Sequence, residues 1–204
     1  MKHVVLLGDS IFDNGVYVPG EPAVIDQLRS EMPDAWEATL LAVDGDVTAD
    51  IHEQLRDMPE DASDCAISCG GNDALGHAHL IERAESIDDL AASLAVVLPE
   101  FQRIYANMLD AVLDHNLNTV VCTIYDQCPF PEPKWREFVP VALDAFNALI
   151  KEVAANRNVS IIELREICTE PEDYSGLSPI EPSAIGGMKI VQAIVRDLTQ
   201  SPVE

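Results

Sequence analysis

The chain has 204 residues, enough to bury a core without disulfide or metal support. Apolar residues make up 48% and charged residues 24%, a balance that excludes disordered and fibrous classes. Acidic residues outnumber basic ones 36 to 12, for a formal net charge of −24. That charge disfavours nucleic acid and anionic membrane surfaces as partners, because both require a basic face.

The same charge predicts high solubility through self-repulsion, which salt screens. No apolar run reaches the roughly 18 residues that span a bilayer. Only Val4 to Leu7 separate His3 from Gly8, fewer than the roughly 7–15 apolar residues of a secretory signal. The five cysteines, Cys65, Cys69, Cys122, Cys128 and Cys168, contain no CxxC pair and no histidine at zinc-ligand spacing. Buried free thiols, a reducing cytoplasm and no cofactor or metal are the expectation.

His3 to Leu7 reads as a first strand and Glu21 to Met32 as a helix, with Pro22 in its first turn. Glu37 to Val43 is a second strand, Val47 to Met58 a helix, and Cys65 to Cys69 a third strand whose two thiols share a face. Leu94, Val97, Leu98, Phe101, Ile104, Tyr105, Met108, Leu109 and Val112 keep the spacing of one helical face, with a break expected at Pro99. Thr119 to Ile124 is a fourth strand, and the prolines between Cys128 and Lys134 predict a loop. Phe138 to Val153 is helical, Val159 to Leu164 is a fifth strand, Cys168 to Gly187 is a loop, and Met188 to Leu198 is a last helix. Apolar strands alternating with helices predict one domain over 1–204. Its expected fold is three-layer α/β/α and flavodoxin-like, with a five-stranded parallel sheet and a site at the carboxyl ends of the strands.

Three polar clusters fall at those ends: Gly8-Asp9-Ser10 after the first strand, Asp44-Gly45-Asp46 after the second, and Gly70-Gly71-Asn72-Asp73 after the third. Each alone is an ordinary turn. Converging on one edge, they offer the Ser10 hydroxyl as nucleophile, with the Ser10 and Gly45 N–H groups and the Asn72 amide as donors for an oxyanion.

In this respect the chain resembles the SGNH hydrolases, the GDSL lipase and esterase family. Leu6-Leu7-Gly8-Asp9-Ser10-Ile11-Phe12-Asp13-Asn14 is similar to the first family block, Gly45 to the second-block glycine, and Gly70-Gly71-Asn72-Asp73 to the third block. The resemblance spans essentially the whole chain. It implies a serine esterase acting on a small-molecule carboxylic ester, with Ser10, Gly45 and Asn72 as catalytic residues. The fourth block departs from the family pattern. Where Asp-x-x-His is usual, this chain has Ser178-Pro179-Ile180-Glu181, and no histidine follows His115.

Three expectations follow. Glu181 is the base, its pKa raised by burial beside Ser10. Or His77 or His79, shortly after Asn72, enters from another loop. Or the site binds an acylated or glycan ligand without turning it over. Asp9 is expected to orient the first loop, and Asp73 and Ser178 to support the site. Asp13 and Asn14 are expected at the entrance, Tyr125 and Asp126 facing the crevice, and Phe12, Tyr17 and Phe130 as apolar walls. His3 opens the first strand at the opposite edge and is set aside. A flavodoxin-like nucleotide binder is disfavoured, since no GxGxxG or P-loop lysine is present.

Overall fold

The structure is a computed structural model and describes residues 2–200. Its strands are β1 (His3–Gly8), β2 (Glu37–Leu40), β3 (Asp64–Ser68), β4 (Asn118–Cys122) and β5 (Ser160–Ile162). Its α-helices are α1 (Val24–Glu31), α2 (Ile51–Gln54), α3 (Gly71–Gly76), α4 (His79–Arg83), α5 (Ile87–Leu113), α6 (Pro133–Ala155), α7 (Leu164–Ile167) and α8 (Ala184–Gln200). The strands form one sheet in the order β2-β1-β3-β4-β5, every pair parallel. The order reverses direction after β1, which opens a crevice at the carboxyl ends of β1 and β3.

Alternation along the strands builds two cores. Val5, Leu7, Cys65, Ile67 and Val121 point toward α5 and α6, where Phe101, Tyr105, Leu109, Phe146 and Ile150 meet them. Val4, Leu6, Ala66, Val120 and Cys122 point toward α1 and α8, onto Val24, Leu28, Ile190, Val191 and Ile194. All five thiols are free and buried. Among the described residues no helix is long and apolar enough to cross a membrane.

The structure corrects four boundaries. α5 runs unbroken through Pro99. That proline is on the solvent side, so the carbonyl it leaves unpaired, on exposed Ala95, can bond water instead. The helix also starts earlier than its apolar pattern, at a Ser86 cap whose hydroxyl accepts the Asp89 N–H. α6 begins at Pro133, inside the expected loop, because a first-turn proline loses no hydrogen bond. α8 begins at Ala184, where the Ser183 hydroxyl accepts the N–H groups of Ile185 and Gly186. Gly186 then lies so close to Asp173 that a Cβ would sit 2.1 Å from its carbonyl oxygen.

Candidate active site

β1 ends at Gly8, held at φ +138°, where an added Cβ would lie 1.9 Å from the Ser68 carbonyl oxygen of β3. Only glycine allows this approach. Gln54 fixes the turn from the other side: its Oε1 accepts the Gly8 N–H at 2.9 Å, and its Nε2 donates to the Gly8 carbonyl at 2.7 Å. The Asp9 N–H donates to Ser68 O at 3.1 Å. Asp9 Oδ1 accepts the Ile11 N–H at 3.1 Å, as an aspartate does in a turn. Ser10 therefore sits on a braced bend, 5% exposed, at the floor of the crevice.

Glu181 comes to Ser10 from the loop before α8. It is 5% exposed, and its Oε2 is buried without a hydrogen-bond partner. Burial pushes its pKa up to about 7. The Ser10 hydroxyl opposes this by hydrogen-bonding the carboxyl, and the charge of Asp44 adds to it. The loop is held by three consecutive carbonyls, each taken by a different donor. Tyr125 Oη donates to Ile180 O (2.9 Å), the Ser175 N–H to Glu181 O (2.8 Å), and Asn14 Nδ2 to Pro182 O (3.2 Å). Asn14 Oδ1 also accepts the Val24 N–H at 2.9 Å, so one fully buried amide ties the Ser10 loop, the Glu181 loop and α1 together.

A second buried carboxyl faces the same space. Asp9 is pushed up to about 8, first by burial and then by the charges of Glu181 and Asp73. A carboxyl whose folded pKa is raised holds a proton that the unfolded chain releases at about pH 4, so stability falls as pH rises from there toward 8. Asp9→Asn keeps the acceptor for Ile11 and removes the charge. Its expected result is a gain of about 1–3 kcal/mol at pH 9 that shrinks toward zero near pH 4, read from urea midpoints across pH.

The second and third clusters meet through hydrogen bonds. Asn72 Nδ2 donates to Asp46 O at 2.9 Å, and one amide hydrogen remains for a ligand. Asp73 Oδ2 accepts both the N–H and the hydroxyl of Thr48, at 2.9 and 2.8 Å, which locks α3 to the loop after β2. Gly45 lies on that loop at φ +90°. The cavity around Ser10, about 430 Å³ of empty space, is lined by Asp9, Asn72, Cys69, Thr123, Tyr125 and Glu181 among others.

His77 and His79 do not reach it. Their rings lie 6.2 Å apart beyond α3, and His77 packs 6.5 Å from Phe146. Ser178 supplies its carbonyl to the Glu181 N–H at 3.4 Å. Phe12 is fully buried in the core that holds α1 and α8 and does not line the Ser10 cavity. Tyr17 donates to Asp44 at the rim, and Asp126 pairs with Arg165 at 3.0 Å.

Gln54, Thr48 and Ser175 carry no signal in the sequence, since nothing in a lone polar side chain says which backbone it will clamp. A second, apolar pouch adjoins the Ser10 cavity, and both share Gly71, Ile124, Tyr125 and Ile180. It holds about 540 Å³ of empty space between α3, α4 and α6, against Leu75, Phe130, Trp135, Ala142 and Leu143.

A family model, the GDSL-like lipase/acylhydrolase family, matches residues 6–186. No curated protein matches the sequence. Among solved structures the chain is similar to an extracellular lipase from Streptomyces rimosus, at 20% identity and TM-score 0.71, covering 99% of this chain and 100% of that one. It is similar to a lipase from a goat rumen metagenome, at 17% identity and TM-score 0.74, with full coverage of both. It is also similar to a carbohydrate acetylesterase from Sinorhizobium meliloti, at 13% identity and TM-score 0.66, covering 98% and 99%.

Proposed function

Because the chain belongs to the GDSL-like lipase/acylhydrolase family, we propose that it is a serine esterase in which a carboxylate does the work of the usual histidine. The observation that carries this reading is the placement of Glu181 in the cavity that holds Ser10, both 5% exposed, with burial raising the carboxyl to about 7. An ordinary glutamate, with a pKa of about 4.3, is too weak a base for a serine hydroxyl at neutral pH. A base with a pKa near the working pH combines the ionised form with useful proton affinity.

The reaction runs in two halves. Ser10 Oγ attacks the ester carbonyl as its proton passes to Glu181, and the carbonyl oxygen becomes an oxyanion facing the Ser10 and Gly45 N–H groups and the Asn72 amide. The carbon–oxygen bond to the alcohol breaks, Glu181 returns its proton to that oxygen, and the acyl group stays on Ser10. Water then attacks the acyl-enzyme, gives a proton to Glu181, and the acid leaves as Ser10 is reprotonated. A protonated glutamate is neutral, so no imidazolium offsets the oxyanion. The N–H donors carry that stabilisation alone, at about 2.7–4 kcal/mol for each donor.

The acyl group occupies the apolar pouch, whose lining carries no charged side chain. The pouch is walled by apolar side chains of α3, α4 and α6 and accepts a small or medium chain. Ala142→Phe fills it from α6. The expected outcome is a fall of about 10- to 100-fold in the octanoyl-to-acetyl ratio of kcat/KM on p-nitrophenyl esters, with acetyl turnover retained. An unchanged ratio places the acyl chain elsewhere.

The whole reading is tested by fluorophosphonate labelling of the full chain across pH, read by intact mass with Ser10→Ala alongside. One adduct, lost in the variant and rising through pH 7, supports a hydrolase. No adduct at any pH supports a domain that binds an acylated or glycan ligand without cleaving it.

A further inference from the structure

At the opposite edge of the sheet, His3 of β1 stands in register beside Glu37 of β2, and Asp61 approaches from the loop before β3. One ligand atom from each residue lies within 4.8 Å of the other two. His3 is 8% exposed, an uncommon setting for an ionisable ring, while both carboxylates reach solvent. Its Nε2 lies 2.8 Å from Thr39 Oγ1, and its Nδ1 lies 2.9 Å from Asp61 Oδ1. At 2.9 Å the Nδ1 and the Asp61 oxygen share a proton in the metal-free protein, and a divalent ion would bind by displacing it. The neighbouring ammonium, Lys2, is engaged by Asp64 at 2.9 Å and the Leu198 carbonyl at 2.6 Å.

The geometry points to a divalent metal site made by His3 Nδ1, Asp61 and Glu37, independent of the catalytic centre. One imidazole nitrogen and two carboxylate oxygens suit a zinc-class ion rather than calcium or magnesium, which prefer all-oxygen shells. The Thr39 hydroxyl at Nε2 holds the ring in place, the part an outer-shell partner plays for a histidine ligand. Three protein ligands leave one position for water. The ion would join β1, the edge strand β2 and the loop entering β3, so its role is structural. The three residues lie 34 and 24 positions apart along the chain, which is why no spacing motif announces them.

The test uses tag-free, chelator-stripped full-length protein, titrated with Zn²⁺ by calorimetry and with Co²⁺ by visible absorption, and Ca²⁺ as control. The expected result is one Zn²⁺ per chain, a Co²⁺ ligand-field band, and no matching Ca²⁺ event. His3→Gln should weaken Zn²⁺ binding by at least ~10-fold and abolish the band. Glu37→Gln, on an exposed side chain whose loss leaves the core intact, should weaken it while the apo protein melts unchanged. Equal binding of Ca²⁺, or Zn²⁺ binding indifferent to both substitutions, would mean a diffuse effect of the −24 charge and overturn the site. Esterase activity is the same in either case.

Discussion

Ser10→Ala should lower ester hydrolysis by at least ~10³-fold and remove fluorophosphonate labelling altogether, while the protein melts within a degree or two of the parent. The side chain removed is one oxygen on a bend held by other groups. Gly8 is gripped by Gln54, and Asp9 by Ser68 and Ile11, so nothing in the fold depends on the hydroxyl. Loss of turnover with retained stability is the signature of a reacting atom. The substitution also leaves Glu181 without the hydrogen bond that opposes its burial, so the carboxyl becomes harder to ionise. Residual activity should reflect general carboxylate and oxyanion effects only. If Ser10→Ala turns over p-nitrophenyl acetate at the parental rate in preparations from separate expressions, Ser10 is not the nucleophile.

The parallel sheet between two helix layers was legible because alternating strands and helices are a local pattern. Alternating Val4, Val5, Leu6 and Leu7 report a strand buried on both sides, and Gly8, Gly45 and Gly70, all at positive φ in the structure, report the turns. The rest was set by distant partners. Pro99 reads as a break until its exposure is known, and Ser183 reads as loop until the N–H groups it accepts are placed. Glu181 was visible only as a carboxylate where a histidine is usual. Its character comes from Tyr125, Ser175 and Asn14, none closer to it than six residues in sequence, which hold its loop so that the side chain is buried. His77, the alternative base, follows Asn72 on the right edge of the sheet, but the turn after α3 carries it toward Phe146.

Glu181→Gln should be the second large loss, roughly 10²–10⁴-fold in kcat/KM, and its pH profile distinguishes a base from a positioning group. In the parent, activity requires the ionised carboxylate. The rate should therefore climb with pH through about 7, where burial has placed the group. The ionisable groups coupled to its charge include Asp9, Asp44, Tyr17, Tyr125 and Cys128, and none of these is cationic. Ionising Asp9, near 8, makes Glu181 a still more reluctant anion, so the two carboxyls titrate as a pair and the rise is broader than a single-proton curve. Asp44→Asn removes a charge that raises Glu181, without touching Ser10, and should move the limb to lower pH. Glutamine is nearly isosteric and keeps the loop and its three carbonyl contacts. It should therefore flatten the limb as well as lower the rate, and should raise stability above pH 7, where the parent holds a buried anion. If the Gln variant keeps the parental limb at reduced height, another group carries the proton and Glu181 only shapes the site. If rate and limb both survive intact, the carboxylate is a bystander, and the base must come from outside the Ser10–Glu181 contact.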